Sequence, residues 1–147
     1  MRLGISRVIL AALLAGATAA ADAAILSKTY QFKPDIDLQV GESLEGGLRL
    51  DSVHFFLPSS TGGMGYRSGG VPRAEVAVSN LGTDRQMYGV AIVLLDEQGR
   101  LVGAANGGPK IMGLRPQRQL TSRVVFDGVN GEAYKATQFK ISIENKP

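Results

Sequence analysis

One stretch in the middle of the chain decides the fold: Tyr88-Gly89-Val90-Ala91-Ile92-Val93-Leu94-Leu95. It is apolar on both faces and rich in β-branched residues, and Asp96 ends it sharply. A short apolar run of this kind also fits a buried helix, but the segments around it show the period of two that is typical of strands. The run therefore predicts the central strand of a sheet, with both of its faces buried.

A turn follows this strand directly, with the sequence Asp96-Glu97-Gln98-Gly99. A type I turn with Gly99 at a positive φ would send the chain back antiparallel to the strand it has just left. Arg100 to Ala104 is therefore predicted to form the second strand of a hairpin.

The segments before and after this hairpin alternate apolar and polar residues, as strands with one buried and one solvent-exposed face do. The alternation is clearest at residues 74–79 and 138–144, and it is looser at 120–126. Further strands are predicted at 28–32, 36–40 and 48–57, whereas residues 131–136 allow one helical turn at most. Seven or eight short strands without an amphipathic helix predict an all-β, antiparallel β-sandwich.

The first 23 residues have the pattern of a secretory signal peptide of bacterial type. Arg2 and Arg7 form a basic head, the run from Val8 to Ala21 is apolar, and Ala21 and Ala23 are the small residues that a signal peptidase reads. The run is shorter than the roughly 20 residues that span a bilayer, which disfavours a retained anchor. The sequence thus predicts a signal peptide at 1–23, one domain at 24–147, and export to the periplasm or beyond the cell without stable membrane insertion.

Composition excludes several classes of function. The chain has no cysteine, which excludes disulfides, thiol catalysis, cysteine-ligated zinc and a lipid-modified first residue. Loss of two arginines and one aspartate with the signal peptide lowers the formal net charge from +3 to +2, which speaks against nucleic acid as a partner. The nearest approach to a basic patch is spread over fourteen residues and is expected to be solvated: Lys110, Arg115, Arg118 and Arg123.

The titratable residues that could take part in catalysis or metal binding are better explained by structural roles. His54 is the only histidine, and strand parity places it on one face with Leu48, Leu50 and Phe56. No G-x-S-x-G element accompanies it, so we expect a structural histidine and no catalytic residue. Asp35 and Asp37 could contribute oxygens to calcium, but the sequence supplies no further ligands beside them, so we expect solvated charges, no metal site and no cofactor.

The segment 59–70 contains five glycines in twelve residues and is predicted to be a loop. Its spacing differs from G-x-G-x-x-G and no helix follows, so a phosphate site is disfavoured. Met64, Tyr66 and Arg67 are residue types that favour interface cores, which makes them candidate partner-binding residues. The alternative is a flexible hairpin without a binding role, and the sequence favours neither.

The segment 24–32 has two possible roles. Leu26, Lys28, Tyr30 and Phe32 fall on one face of an extended chain. The segment could be the first strand of its own sandwich, or it could add to the edge of a sheet in another subunit.

Residues 72–126 resemble the FxLyD and related immunoglobulin-like domains of exported bacterial proteins. The resemblance rests on four elements: Ala74-Glu75-Val76-Ala77-Val78-Ser79-Asn80, Ile92-Val93-Leu94-Leu95-Asp96 in the position of the motif, the turn Asp96-x-x-Gly99, and Leu114-Arg115-Pro116. Ile92 and Leu95 stand where that family has Phe and Tyr, and Gln117 replaces its usual Gly. The resemblance implies an immunoglobulin-like sandwich that acts in adhesion, scaffolding or assembly, with no catalytic residue.

Together these observations predict an exported, non-catalytic binding or accessory module of the bacterial cell envelope that recognises a protein partner. The alternative is a structural subunit of a surface fibre or secretion assembly that uses strand addition by residues 24–32. An enzyme ranks third. The sequence identifies neither the partner nor the oligomeric state.

Overall fold

The computed structural model describes residues 25–44, 46–58, 70–109, 112–129 and 131–146. Eight strands follow one another along the chain: β1 (Ile25–Gln31), β2 (Asp37–Ser43), β3 (Leu48–Phe56), β4 (Arg73–Asn80), β5 (Met87–Leu95), β6 (Leu101–Gly107), β7 (Arg118–Val125) and β8 (Gln138–Lys146). A 3-10 turn, Ala133–Lys135, precedes β8. In the part of the chain so described, no helix is long and apolar enough to cross a membrane.

The strands form two four-stranded antiparallel sheets, in the orders β1-β8-β5-β6 and β2-β3-β4-β7. The neighbours β3-β4-β7 and β6-β5-β8-β1 match the orders A-B-E and C′-C-F-G of an immunoglobulin sandwich. The prediction of an all-β, antiparallel β-sandwich of seven to eight strands is therefore confirmed. Two features are particular to this chain: β1, the first strand, fills the position of the last strand G, and β2 extends the other sheet beside β3.

A single hydrophobic core fills the space between the sheets. Ile92 of β5 lies opposite Ile141 of β8, and both side chains are fully buried. The facing sheet contributes Val53, Val76 and Val124, which are also fully buried. The alternation that the sequence predicted for β4 and β8 is confirmed, because every second residue of each strand enters this core.

Strand β5 lies inside its sheet, as predicted, but the prediction that both of its faces are buried is wrong. Tyr88, Val90, Ile92 and Leu94 enter the core, whereas Ala91 is exposed and Val93 is half-buried. A sandwich packs only one face of each sheet, and apolar side chains are common on the solvent face.

The turn after β5 has the predicted geometry, with Gly99 at a φ of 75°. The Asp96 carboxylate accepts hydrogen bonds from the backbone N–H groups of Gln98 and Arg100, both at 2.9 Å, and from the Arg100 guanidinium at 2.7 Å. The backbone hydrogen bond from Arg100 contributes most to holding the pKa of Asp96 below its ordinary value. Asp96 and Gly99 thus stabilise the turn of this hairpin together.

A β-bulge in β3 overturns the predicted position of His54. The pairing between β3 and β4 shifts between Leu50 and Ser52, so one extra residue enters the strand there. Leu48 and Leu50 face the core before the bulge, but Val53 and Phe55 do so after it. His54 therefore shares the outer face with Phe56, as predicted, and lies on the face opposite to Leu48 and Leu50.

Asn80, at the end of β4, is fully buried and joins three segments. Its amide nitrogen donates to the carbonyls of Asp84, at 2.7 Å, and Leu114, at 2.9 Å. Its amide oxygen accepts the N–H of Gly82 at 3.0 Å. Asn80 and Leu114 belong to separate elements of the family resemblance, and this side chain holds those two elements together.

Candidate partner-binding site

The outer face of the sheet β2-β3-β4-β7 carries two rows of aromatic and charged side chains. Residues that pair across antiparallel strands point to the same side of a sheet. The first row, next to the ends of β3 and β4, is Phe56, Arg73 and Val125. The second row crosses all four strands and is Asp37, His54, Glu75 and Arg123. The face therefore presents an apolar and aromatic end followed by charges of both signs.

The side chains around Phe56 contact one another closely. The rings of His54 and Phe56 are stacked, with 4.2 Å between centroids and 16° between planes. The guanidinium carbon of Arg73 lies 4.4 Å from the centroid of the Phe56 ring, a cation–π contact. We refer to His54, Phe56 and Arg73 as the Phe56 cluster.

Arg73 keeps unused hydrogen-bonding capacity within this cluster. Its Nε is buried and has no hydrogen-bond partner among the described residues. A buried guanidinium N–H without a partner is costly, and an incoming acceptor would relieve that cost. Phe56 and Arg73 were not predicted from the sequence as site residues, because no local motif marks them.

The glycine-rich segment leaves and rejoins the sandwich at this cluster, because β3 ends at Phe56 and β4 begins at Arg73. The residues that flank the segment, which we call its roots, are hydrogen-bonded to the sandwich. The Tyr134 hydroxyl donates to the Pro58 carbonyl, and the Phe126 N–H donates to the Pro72 carbonyl at 2.9 Å. The candidate residues Met64, Tyr66 and Arg67 lie outside the described residues. Their role in binding stays a prediction.

A second polar cluster lies toward the opposite end of the same face, around the bulge in β3. The Asp51 carboxylate accepts hydrogen bonds from Ser79 at 2.5 Å, Arg49 at 2.6 Å and Gln119 at 2.8 Å. Burial by itself raises the pKa of Asp51, but the hydrogen bonds from Ser79, Gln119 and Arg49 favour the carboxylate more strongly and hold the pKa below its ordinary value. With three donors already engaged, Asp51 ties β3, β4 and β7 together at the bulge.

The acidic and basic residues that were weighed in the sequence as a calcium site or a basic patch are not grouped in that way among the described residues. Asp37 accepts a hydrogen bond from Gln39 at 2.7 Å, and Asp35 occupies the β1–β2 turn at a φ of 57°. Throughout the described ranges, no three His, Cys, Asp or Glu residues lie close enough to hold a metal ion. Arg118 and Arg123 are an odd number of positions apart on β7 and therefore lie on opposite faces. Lys110 lies outside the described residues.

Residues 25–31 pair within their own chain, which is the first of the two roles weighed for this segment. β1 runs antiparallel to β8, and Ser27 lies opposite Ser142 with 3.1 Å between the hydroxyl oxygens. The other neighbour of β1 is β2 across the sandwich, where the Lys28 ammonium bonds the Glu42 carboxylate at 2.5 Å.

No family model matches the chain, and no curated protein and no solved structure matches it either. The resemblance to FxLyD-type domains therefore stays a prediction.

Proposed function

We propose that this protein is an exported, non-catalytic binding module of the bacterial cell envelope that recognises a protein partner. The recognition surface combines the Phe56 cluster, the charged row beside it and the glycine-rich segment between β3 and β4. The observation that carries the proposal is the position of the cluster at both roots of this segment.

Interface physics supports this assignment. Aromatic residues and arginine are enriched where interfaces carry most of their binding energy. A rigid sheet keeps the Phe56 ring and the Arg73 guanidinium in place at little entropic cost, whereas a glycine-rich connection gives reach. The row Asp37, His54, Glu75 and Arg123 alternates acidic and basic groups, which sets the register of a partner more than its affinity.

The binding energy of the segment should concentrate in Tyr66 and Arg67, which offer large contact area and directional donors. We expect the double variant Tyr66→Ala/Arg67→Ala to weaken capture of envelope partners at least tenfold, or about 1.4 kcal/mol, without a change in melting temperature. The measurement is a quantitative pull-down from the native cell envelope with the mature domain as bait.

Two further variants sharpen this experiment. Arg73→Ala removes the cation–π contact at the root of the segment and should also reduce capture. Thr29→Ala lies exposed on β1, in the other sheet, and should leave capture unchanged. If the double variant captures the same partners as the wild type, the segment is only a connection and the proposed surface is wrong.

One observation favours the alternative, a structural subunit that assembles by strand addition. β1 lies at the edge of its sheet and is joined to β2 only through residues 32–36. Exchange of β1 between copies would preserve every β1–β8 pair while linking the subunits, as in domain swapping. Size-exclusion chromatography with light scattering separates the two functions, because a binding module elutes as a monomer and a fibre subunit forms a heat-resistant ladder.

A further inference from the structure

A small cavity opens between the two sheets, on the side where β1 and β2 are the edge strands. Its volume is about 130 Å³. Five side chains form most of its apolar wall: Ile36, Leu38, Val53, Phe55 and Phe139. Tyr30, Gln31 and Lys33 complete the lining. Among the described residues, none of the Phe56 cluster belongs to this lining, so the cavity is separate from that cluster.

The aromatic rings of the lining hold one another in place. Phe55 and Phe139 meet edge to face with 4.8 Å between centroids, and Tyr30 stacks on Phe139 at 5.4 Å. Phe32 meets Phe55 edge to face as well, again at 4.8 Å. Rings locked in this way keep the cavity open rather than letting it collapse, which makes the site preformed.

Tyr30 brings a buried, unpaired hydroxyl to the lining. Its hydroxyl is buried and has no hydrogen-bond partner among the described residues. Burial and the nearby Glu42 carboxylate both raise the pKa of Tyr30, which favours the neutral phenol with its O–H donor. A buried hydroxyl without a partner is costly, and a ligand atom that accepts its proton would remove that cost.

We propose that this cavity binds a small aromatic molecule of the phenol class, with the ring between the sheets and its oxygen on the Tyr30 hydroxyl. The size fits, because an apolar cavity of roughly 150 Å³ accommodates one benzene ring. The edge-to-face arrangement of Phe55 and Phe139 favours a further aromatic ring over an aliphatic chain.

The test compares phenol with toluene, which has a similar shape but no hydroxyl. Each probe is titrated into the isotope-labelled protein, and chemical-shift changes are followed by NMR. We expect saturable shifts around the cavity with both probes. Tyr30→Phe should weaken phenol binding about threefold or more, since one hydrogen bond is lost, and should not weaken toluene binding.

Two variants control for folding and location. Tyr134→Phe removes a hydroxyl that bonds Pro58 outside the cavity and should leave both affinities unchanged. Leu38→Phe adds volume to the wall and should weaken both probes, provided that its spectrum remains that of the folded protein. The proposal is overturned if neither probe gives saturable shifts at the cavity, or if phenol binds the wild type and Tyr30→Phe equally well.

Discussion

Replacing Asn80 with alanine is expected to lower the free energy of unfolding by about 2–4 kcal/mol. The side chain is fully buried and makes three hydrogen bonds with the backbone, to Gly82, Asp84 and Leu114. Leu114 keeps a second donor in the Gln86 N–H, but Asp84 and Gly82 lose the bond that this side chain supplies. Unfolding in urea, followed by circular dichroism, measures the loss.

The matched control is Asn106→Ala, because Asn106 lies exposed on β6. This change should stay within about 0.5 kcal/mol of the wild type. Equal unfolding midpoints for the two variants would show that Asn80 does not join the segments in the way described.

Truncating Ile92 to alanine is the second change with a large expected effect, about 2–4 kcal/mol of lost stability. Ile92 is fully buried, lies opposite Ile141 on β8 and is part of the core between the two sheets. Removing three of its carbons leaves a cavity that neighbouring strands cannot fill without breaking their own pairing. The same urea experiment gives the difference.

Val93→Ala, at the residue next to Ile92, tests whether only one face of β5 is buried. Val93 points to the outer face of its sheet and is only half-buried, so its truncation should cost less than about 1.5 kcal/mol. A loss as large as that of Ile92→Ala would mean that both faces of β5 are covered, which would contradict the observed burial.

The strands that could be predicted are those in which the residues of the strand itself show which side is buried. Alternation in β4 and β8 predicted both the strands and the side that enters the core, because one solvated and one packed face impose a period of two. The Asp96–Gly99 turn was predictable for a similar reason, since a positive φ at Gly99 needs no distant partner.

The bulge in β3 could not be predicted because its cause is distant in sequence. Asp51 is held by Ser79 and Gln119, which lie 28 and 68 positions away. Those hydrogen bonds accommodate the extra residue, and the shift of parity then moves His54 to the outer face. The pairing of β1 with β8 is equally non-local, because Ser27 and Ser142, which lie opposite each other, are 115 positions apart in the sequence.

The candidate site was only partly predictable for the same reason. Residue type alone singled out Met64, Tyr66 and Arg67 in the glycine-rich segment. The Phe56 cluster beside that segment needs a cross-strand pair, Phe56 with Arg73, and a His54 whose orientation depends on the bulge. Two long-range features therefore had to be known before this surface could be described.

One chain completes its own sandwich, with β1 beside β8 of the same molecule. The double variant Ser27→Cys/Ser142→Cys tests this directly, because the two residues lie opposite each other and the native chain has no other cysteine. Paired residues of adjacent antiparallel strands lie within the range that a disulfide spans.

After oxidation, a non-reducing gel should show one band of monomer size, with a melting temperature above that of the reduced protein. Each single cysteine variant serves as a control for disulfides formed by chance between molecules. A ladder of covalent oligomers in the double variant, absent from both single variants, would show that β1 pairs between copies. That result would contradict the monomeric binding module and establish strand exchange as the mode of assembly.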